Sequence, residues 1–180
     1  MIRGKVAFML CDIQEGFRPF IHNYEQVIKT AQRMIQGAEI LRIPLLVTEQ
    51  YRKGLGSIVS ELDISKALIR EDKKLFSMMT PAVTTVLKDC KAEEVVLFGI
   101  ESHVCIYQTA MDLLQLQYKV HLVADGISSR HAFNVDLAVN QLRASGVSIS
   151  SSESILFQIM KSAEHPQFKA ISNLVKPSNI

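Results

Sequence analysis

Cysteine is scarce: three residues in 180, at positions 11, 90 and 105, odd in number and widely spaced. Such a set makes no disulfide framework. No Cys-x-x-Cys pair and no Cys/His cluster at zinc spacing occurs, so a structural zinc site has no support. The histidines form no H-x-H, H-E-x-x-H or D-x-H pattern. Glycine-rich phosphate loops of the GxGxxG or GxxxxGK[ST] kind are also missing, which removes the usual signal for nucleotide binding. An excess of charge of either sign is nearly absent. Twenty basic residues stand against eighteen acidic ones, a net charge of +2. That is no polybasic footprint, and it gives no support for a nucleic-acid partner. Long apolar runs are missing too. The first one ends at Asp12, too short for a membrane span and not followed by a signal-peptidase-like site. Free thiols suit a reducing compartment. The expectation is a soluble cytoplasmic protein without membrane partners, with mitochondrial association left open.

What is present is ample material for a core. The chain is 48% apolar with no low-complexity tract. One domain, residues 1–180, is the default for this length. About 70% of the unfolded-chain surface is typically buried near this size.

Val6-Ala7-Phe8-Met9-Leu10-Cys11 is a continuous apolar run of strand length. Such runs fit strands covered on both faces, as in a parallel sheet. Asn23 is placed to cap a helix running to Arg42, with Val27, Ala31, Met34, Ile35, Ala38 and Leu41 at helical spacing. Leu45-Leu46-Val47-Thr48 reads as a second strand, followed by a loop from Glu49 to Gly56. The stretch from Ile58 to Arg70 is weakly patterned, and Asp72 to Met79 is mixed. Thr80-Pro81 opens a helix to about Lys88, a cap followed by proline at the first helical position. Glu93 to Phe98 is a strand, and a helix runs from Ser102 or His103 to Gln117. Tyr118 to Ala124 is a strand closed by Asp125-Gly126. Asn134 to Ser145 is a helix with Val135, Leu137, Ala138 and Leu142 inward, ended by Gly146. Val147 to Ile149 is a short strand. Ser151 or Ser152 caps a helix to Met160, and His165-Pro166 starts a last helix to about Val175.

Apolar strands alternating with helices predict an α/β fold: three layers, with a doubly wound, mostly parallel, Rossmann-like sheet. Ligands bind outside the carboxyl ends of such strands. That rule places Asp12, Glu49 to Tyr51, Gly99 to Cys105 and Asp125 on one rim.

Cys105 lies where a strand turns into a helix, near the positive end of a helix dipole, which favours thiolate. Free cysteine is also among the most buried residue types. Position alone leaves nucleophile and small hydrophobe both open. Cys11, inside an apolar strand, reads as core, and Cys90 as a bystander. Asp12 caps a turn or serves as a base that activates a thiol. Lys73 is read from its surroundings as a solvated lysine. His103 stands close enough to Cys105 to suggest a Cys–His pair, but the two side chains point differently out of a turn.

Taken together, four segments resemble the isochorismatase-like cysteine hydrolases. Asp12-Ile13-Gln14-Glu15-Gly16-Phe17 is similar to their D-x-Q-x-x-F opening. Lys73-Lys74-Leu75-Phe76-Ser77 is similar to K-x-x-[FY]-S. Gly99 to Cys105 resembles the G-[IV]-x-x-x-x-C nucleophile loop, and Asp125 to Arg130 the D-x-x-S-S-R turn. Order and spacing agree over nearly the whole chain. The loop Thr48 to Tyr51, the Lys73 segment and His165 to Lys169 look most like the isochorismatase domain-containing proteins of eukaryotes.

The resemblance implies a triad: Cys105 as nucleophile, Asp12 as general base, and Lys73 as its electrostatic partner. It implies a cis peptide at Ile100–Glu101 and an oxyanion hole built from the backbone amides of Glu101 and Cys105. The substrate would be a small molecule attacked at an amide-like carbonyl through a thioester. Gln14, Phe17, Tyr51 and Phe76 are the pocket candidates by rim position. Nicotinamidases of this family carry a metal on D-x-H after the second strand. Here the position reads Glu49-Gln50-Tyr51, so neither metal nor cofactor is expected. The resemblance also implies a homo-oligomer, a dimer, tetramer or higher assembly. The competing expectations are an idle interaction protein on the same fold and a nucleic-acid-associated protein, since some protozoan relatives carry a ribonuclease label.

Overall fold

The computed structural model describes residues 1–176. Its frame is one sheet of six strands: β1 (Val6–Cys11), β2 (Leu45–Gln50), β3 (Ile69–Lys73), β4 (Glu94–Ile100), β5 (Lys119–Ser128) and β6 (Ser148–Ser150). The spatial order is β3-β2-β1-β4-β5-β6 and every neighbouring pair is parallel. The helices are α1 (Tyr24–Leu41), α2 (Arg52–Leu55), α3 (Pro81–Asp89), α4 (Tyr107–Gln115), α5 (Ala132–Ala144), α6 (Ser152–Met160) and α7 (Phe168–Val175).

Strand geometry sends alternate side chains to opposite faces. Phe8 and Leu10 of β1, with Val96 and Phe98 of β4, join the core formed with α1, α6 and α7. Ala7, Met9 and Cys11, with Val95 and Leu97, join the opposite core with α3, α4 and α5. The result is the three-layer α/β architecture expected from unbroken apolar strands. Fully burying one such side chain contributes about 1.5–3 kcal/mol, so the two faces together carry most of the stabilisation.

The order of strands runs one way from β1 to β3 and the other way from β4 to β6. The direction reverses between β1 and β4. In open α/β sheets, the crevice at such a reversal is where ligands bind. Asp12 follows β1 and the Gly99–Cys105 stretch ends β4, with Cys11 paired to Gly99 across the switch.

Several local expectations change. β3, Ile-Arg-Glu-Asp-Lys, carries little apolar signal because it is an edge strand, and its residues alternate between more and less exposed. β2 extends through Glu49-Gln50 because both pair with Asp72-Lys73. β5 does not stop at Asp125-Gly126. It bulges there and resumes pairing at Ile127 and Ser128. Asp125 therefore leaves the rim: its carboxylate accepts from Ser152 N–H at 2.7 Å and Ser152 Oγ at 2.6 Å, fixing the start of α6. Asn23 adopts a left-handed φ of 49° and makes no side-chain cap. Leu137 faces outward, 54% exposed, while Ala138 and Leu142 hold the inner face of α5. α7 starts at Phe168, after His165-Pro166. The caps at Thr80 and Ser151 form, each accepting from a backbone amide. No helix among the described residues is long and apolar enough to cross a membrane.

Candidate active site

Three elements deliver three side chains to the β1/β4 switch. Asp12 leaves β1 with φ 53° and is fully buried. Lys73 is the last residue of β3, two strands away, and its long side chain spans the gap. Its Nζ donates to Asp12 Oδ2 at 2.7 Å, with both side chains sealed from solvent. The same ammonium reaches Gln50 Oε1 at 2.7 Å, Leu75 O at 3.1 Å and Phe76 O at 3.0 Å. Burial works against charge on Lys73, but Cys11, Asp12 and Cys105 outweigh it and hold the ammonium above its usual range. The other carboxylate oxygen, Asp12 Oδ1, accepts from Thr48 Oγ1 at 2.7 Å.

Cys105 completes the cluster. Its sulfur, the Cys11 sulfur and an Asp12 oxygen all lie within 4.8 Å of one another. Cys11 Sγ donates to Asp12 Oδ2 at 3.4 Å. Burial pushes the Cys11 thiol well up, and Cys105 and Asp12 push the same way against the pull of Lys73.

Cys105 is not in the first turn of a regular helix. Residues Ser102–Ile106 form a π-helical turn, with Ile106 N–H donating to Glu101 O at 3.2 Å, and α4 begins only at Tyr107. The wider turn is of a kind found often at functional sites. The Ile100–Glu101 peptide bond is cis. Val104 N–H and Ile106 N–H both donate to Glu101 O, while Cys105 N–H has no acceptor outside its own turn among the described residues. Glu101 N–H has no acceptor among the described residues. Gly99 makes this turn possible. Its φ is 121°, and a Cβ there would lie 2.1 Å from Cys11 O.

Residues 6–154 match the isochorismatase domain. The chain belongs to the isochorismatase family. It is 44% identical over 179 residues to isochorismatase domain-containing protein 1 of Salmo salar, covering 99% of this chain. It is 44% identical to isochorismatase domain-containing protein 2 of Danio rerio, covering 96% of this chain and 87% of that one. The structure of MAR1 ribonuclease from Caenorhabditis elegans overlays with a TM-score of 0.91 at 39% identity, covering 97% of this chain and 91% of that one. The chain spans 63% of the salmon protein's length and 61% of its Danio rerio counterpart. The sheet and its helices match the fold of solved isochorismatase-like hydrolases, among them one from Alkaliphilus metalliredigens at a TM-score of 0.72 and 22% identity.

Within this isochorismatase-family frame, each remaining candidate has a definite place. His103 is held away as a partner for Cys105: its Nδ1 is 2.9 Å from Ser129 Oγ. Glu101 and Ser102 are tied to the same strand end. Ser102 Oγ donates to Ser128 O at 2.9 Å, and Glu101 Oε2 accepts from Arg130 N–H at 3.1 Å. The Ser128-Ser129-Arg130 turn thus fastens the Glu101–His103 stretch residue by residue, a role the sequence pattern did not reveal. Thr48 was missed as well, because a threonine in an apolar strand carries no signal of what it faces.

Two pocket candidates are buried. Gln14 is fully buried. Its Nε2 donates to Gln50 O and Gly56 O at 3.0 and 2.7 Å, and its Oε1 accepts from Gln50 N–H at 2.6 Å. An amide so engaged has no N–H left for a ligand. Phe17 packs in the α1-side core. Tyr51 and Phe76 remain at the rim, 48% and 52% exposed.

The metal question turns on charge. Cys11, Asp12 and Cys105 lie close enough to hold an ion. The Lys73 ammonium already stands at 2.7 Å from the Asp12 carboxylate, where a cation would have to compete with it. Glu49, the residue in the position of the first metal-binding aspartate, is consumed by Arg70 at 2.6 and 2.9 Å, Arg52 at 3.3 Å and Ile58 N–H at 2.8 Å.

Proposed function

We propose that this chain is a metal-independent cysteine hydrolase that cleaves an amide-like C–N bond of a small molecule. The observation that carries the reading is the buried Lys73–Asp12 pair at 2.7 Å with the Cys105 sulfur beside it. Asp12 takes the Cys105 thiol proton as the sulfur attacks the carbonyl carbon. The developing oxyanion is met by the N–H groups of Glu101 and Cys105, an arrangement worth several kcal/mol in related chemistry. Protonated Asp12 returns its proton to the leaving amine and a thioester remains. Water, deprotonated by Asp12, then attacks the thioester, and the acid leaves with the thiol restored. Lys73 keeps Asp12 oriented and compensates its charge throughout. Tyr51 and Phe76 form the apolar part of the substrate pocket.

The test is a panel of small amides assayed with wild type, Cys105→Ser and Lys73→Met, with intact mass after brief exposure to substrate. An acyl adduct on Cys105, absent from Cys105→Ser, is expected. Turnover that survives in Cys105→Ala, or an adduct on another residue, would defeat the reading. Activity unchanged by a chelator is also expected.

Homo-oligomer formation and a cytoplasmic location belong to the same reading. The exposed Phe20, Phe76, Phe133 and Leu137 supply apolar surface for assembly, and light scattering would read the mass. A second reading, action on RNA, comes from the description of the Caenorhabditis elegans protein. The net charge of +2 offers it little. Cleavage of labelled RNA that is lost in Cys105→Ser would favour it.

A further inference from the structure

Cys11 is the one nucleophilic group of the cluster that hydrolysis does not use. We propose that Cys11 and Cys105 form a peroxide-oxidisable pair, in which Cys11 resolves a sulfenic acid on Cys105 into an intramolecular disulfide. The two sulfurs lie within 4.8 Å, on the same face of the sheet and in the same apolar cluster. A disulfide needs about 2.05 Å between sulfurs, so the pair must close by at most about 2.8 Å. Cys11 is anchored in β1, so the movement falls to the π turn that carries Cys105.

Access sets the order of events. Cys105 is 6% exposed and Cys11 is 0% exposed, so a small peroxide meets Cys105 first. Asp12 takes the Cys105 thiol proton as the sulfur attacks the peroxide oxygen, the O–O bond breaks, the departing hydroxide collects that proton as water, and Cys105 becomes a sulfenic acid. Asp12, which accepts the Cys11 S–H at 3.4 Å, then takes that proton. The Cys11 thiolate attacks the Cys105 sulfur, and hydroxide leaves and collects the proton from Asp12 as water. Two thiols and one peroxide become one disulfide and two waters, a two-electron oxidation. Cys90, at the end of α3, is outside the cluster. The disulfide withdraws the nucleophile reversibly and keeps it from irreversible sulfinic acid.

This inference uses the same site as the proposed hydrolase. Its readout is mass, not turnover, so it stands or falls apart from that activity. The full chain is treated with about one equivalent of hydrogen peroxide, alkylated without reduction, and peptide-mapped. A Cys11–Cys105 linked peptide is expected, with an intact mass lower by about 2 Da and full recovery with dithiothreitol. Cys90→Ser gives the same link. With peroxide raised to several equivalents, Cys11→Ser accumulates Cys105 sulfinic acid that dithiothreitol does not reverse, while wild type holds the link. Sulfinic acid on Cys105 of wild type without a Cys11 link would overturn the proposal. So would a link to Cys90, or a free Cys11 in peroxide-treated wild type. The wild-type map decides the matter even where Cys11→Ser folds poorly.

Discussion

Replacing Lys73 by methionine isolates the electrostatics of the site. Asp12 and Lys73 are sealed from solvent and 2.7 Å apart. Methionine keeps the length of the stem and removes the charge and every donor. Asp12 is then left with Thr48 Oγ1 at 2.7 Å and Cys11 Sγ at 3.4 Å, both neutral. Removing one member of a buried pair costs about 3–5 kcal/mol, because the other charge stays buried without compensation. For a chain of this size that is a fall of about 6–20 °C in Tm. Urea unfolding of wild type, Lys73→Met, Asp12→Asn and the double variant measures it. The double variant buries no charge, so its loss falls short of the sum of the singles by at least about 1 kcal/mol. The pH dependence has a definite sign. The folded state holds the Lys73 ammonium above its usual range. Its contribution is therefore complete below pH about 10.4, the unfolded value, and is lost only as pH rises through the higher folded value. The gap between wild type and Lys73→Met stays constant from pH 7 to about 10 and narrows above that. A Lys73→Met protein within about 1 kcal/mol of wild type at pH 8, or strictly additive variants, would refute the reasoning.

Gly99→Ala places a Cβ 2.1 Å from Cys11 O at a φ of 121°, against backbone that cannot yield. Expression as insoluble protein or a Tm drop beyond 10 °C, about 3 kcal/mol or more, is expected, and a melt near wild type would show that the loop relaxes freely. Thr48→Val removes the 2.7 Å hydrogen bond to Asp12 Oδ1 at nearly constant volume. A loss of about 1.5–3 kcal/mol in urea titration is expected, the range for hydrogen bonds to charged groups; no loss would show that Thr48 is a passive neighbour. Burial alone would raise the Glu94 carboxyl, but the Arg3 and Gly4 amides and His121 hold it below the usual carboxylate range. Its stabilisation is present above pH about 4.3 and lost as pH falls through the lower folded value. The advantage of wild type over Glu94→Gln therefore shrinks on acidification from pH 6 to 3, and a constant gap in urea titrations would contradict the linkage.

Much of the architecture was legible in the chain. β1 and β4 are covered on both faces, so all their residues but Glu94 are apolar, and the runs announced themselves. The caps at Thr80 and Ser151 were readable because a capping side chain bonds its own neighbours. β3 was not readable. An edge strand is held by backbone pairing to β2, and its Arg70, Glu71 and Asp72 side chains carry no sign of that pairing. Lys73 shows the consequence: by its neighbours in sequence it is one more solvated lysine, yet its side chain is the buried partner of Asp12.

What the sequence determined by itself was the layering, the rim at the strand ends and the presence of Asp12 and Cys105 on it. These follow from periodicity and chain direction, both local properties. Tertiary structure alone decided which groups meet. It put the strand reversal between β1 and β4, brought Lys73 across two strands, and set Thr48 and Cys11 against the Asp12 carboxylate. It also turned His103 toward Ser129 and spent Gln14 on the backbone of Gln50. Side-chain contacts between distant segments depend on strand order and register. No window of neighbouring residues encodes either, because both arise only when the separate strands pack into one sheet.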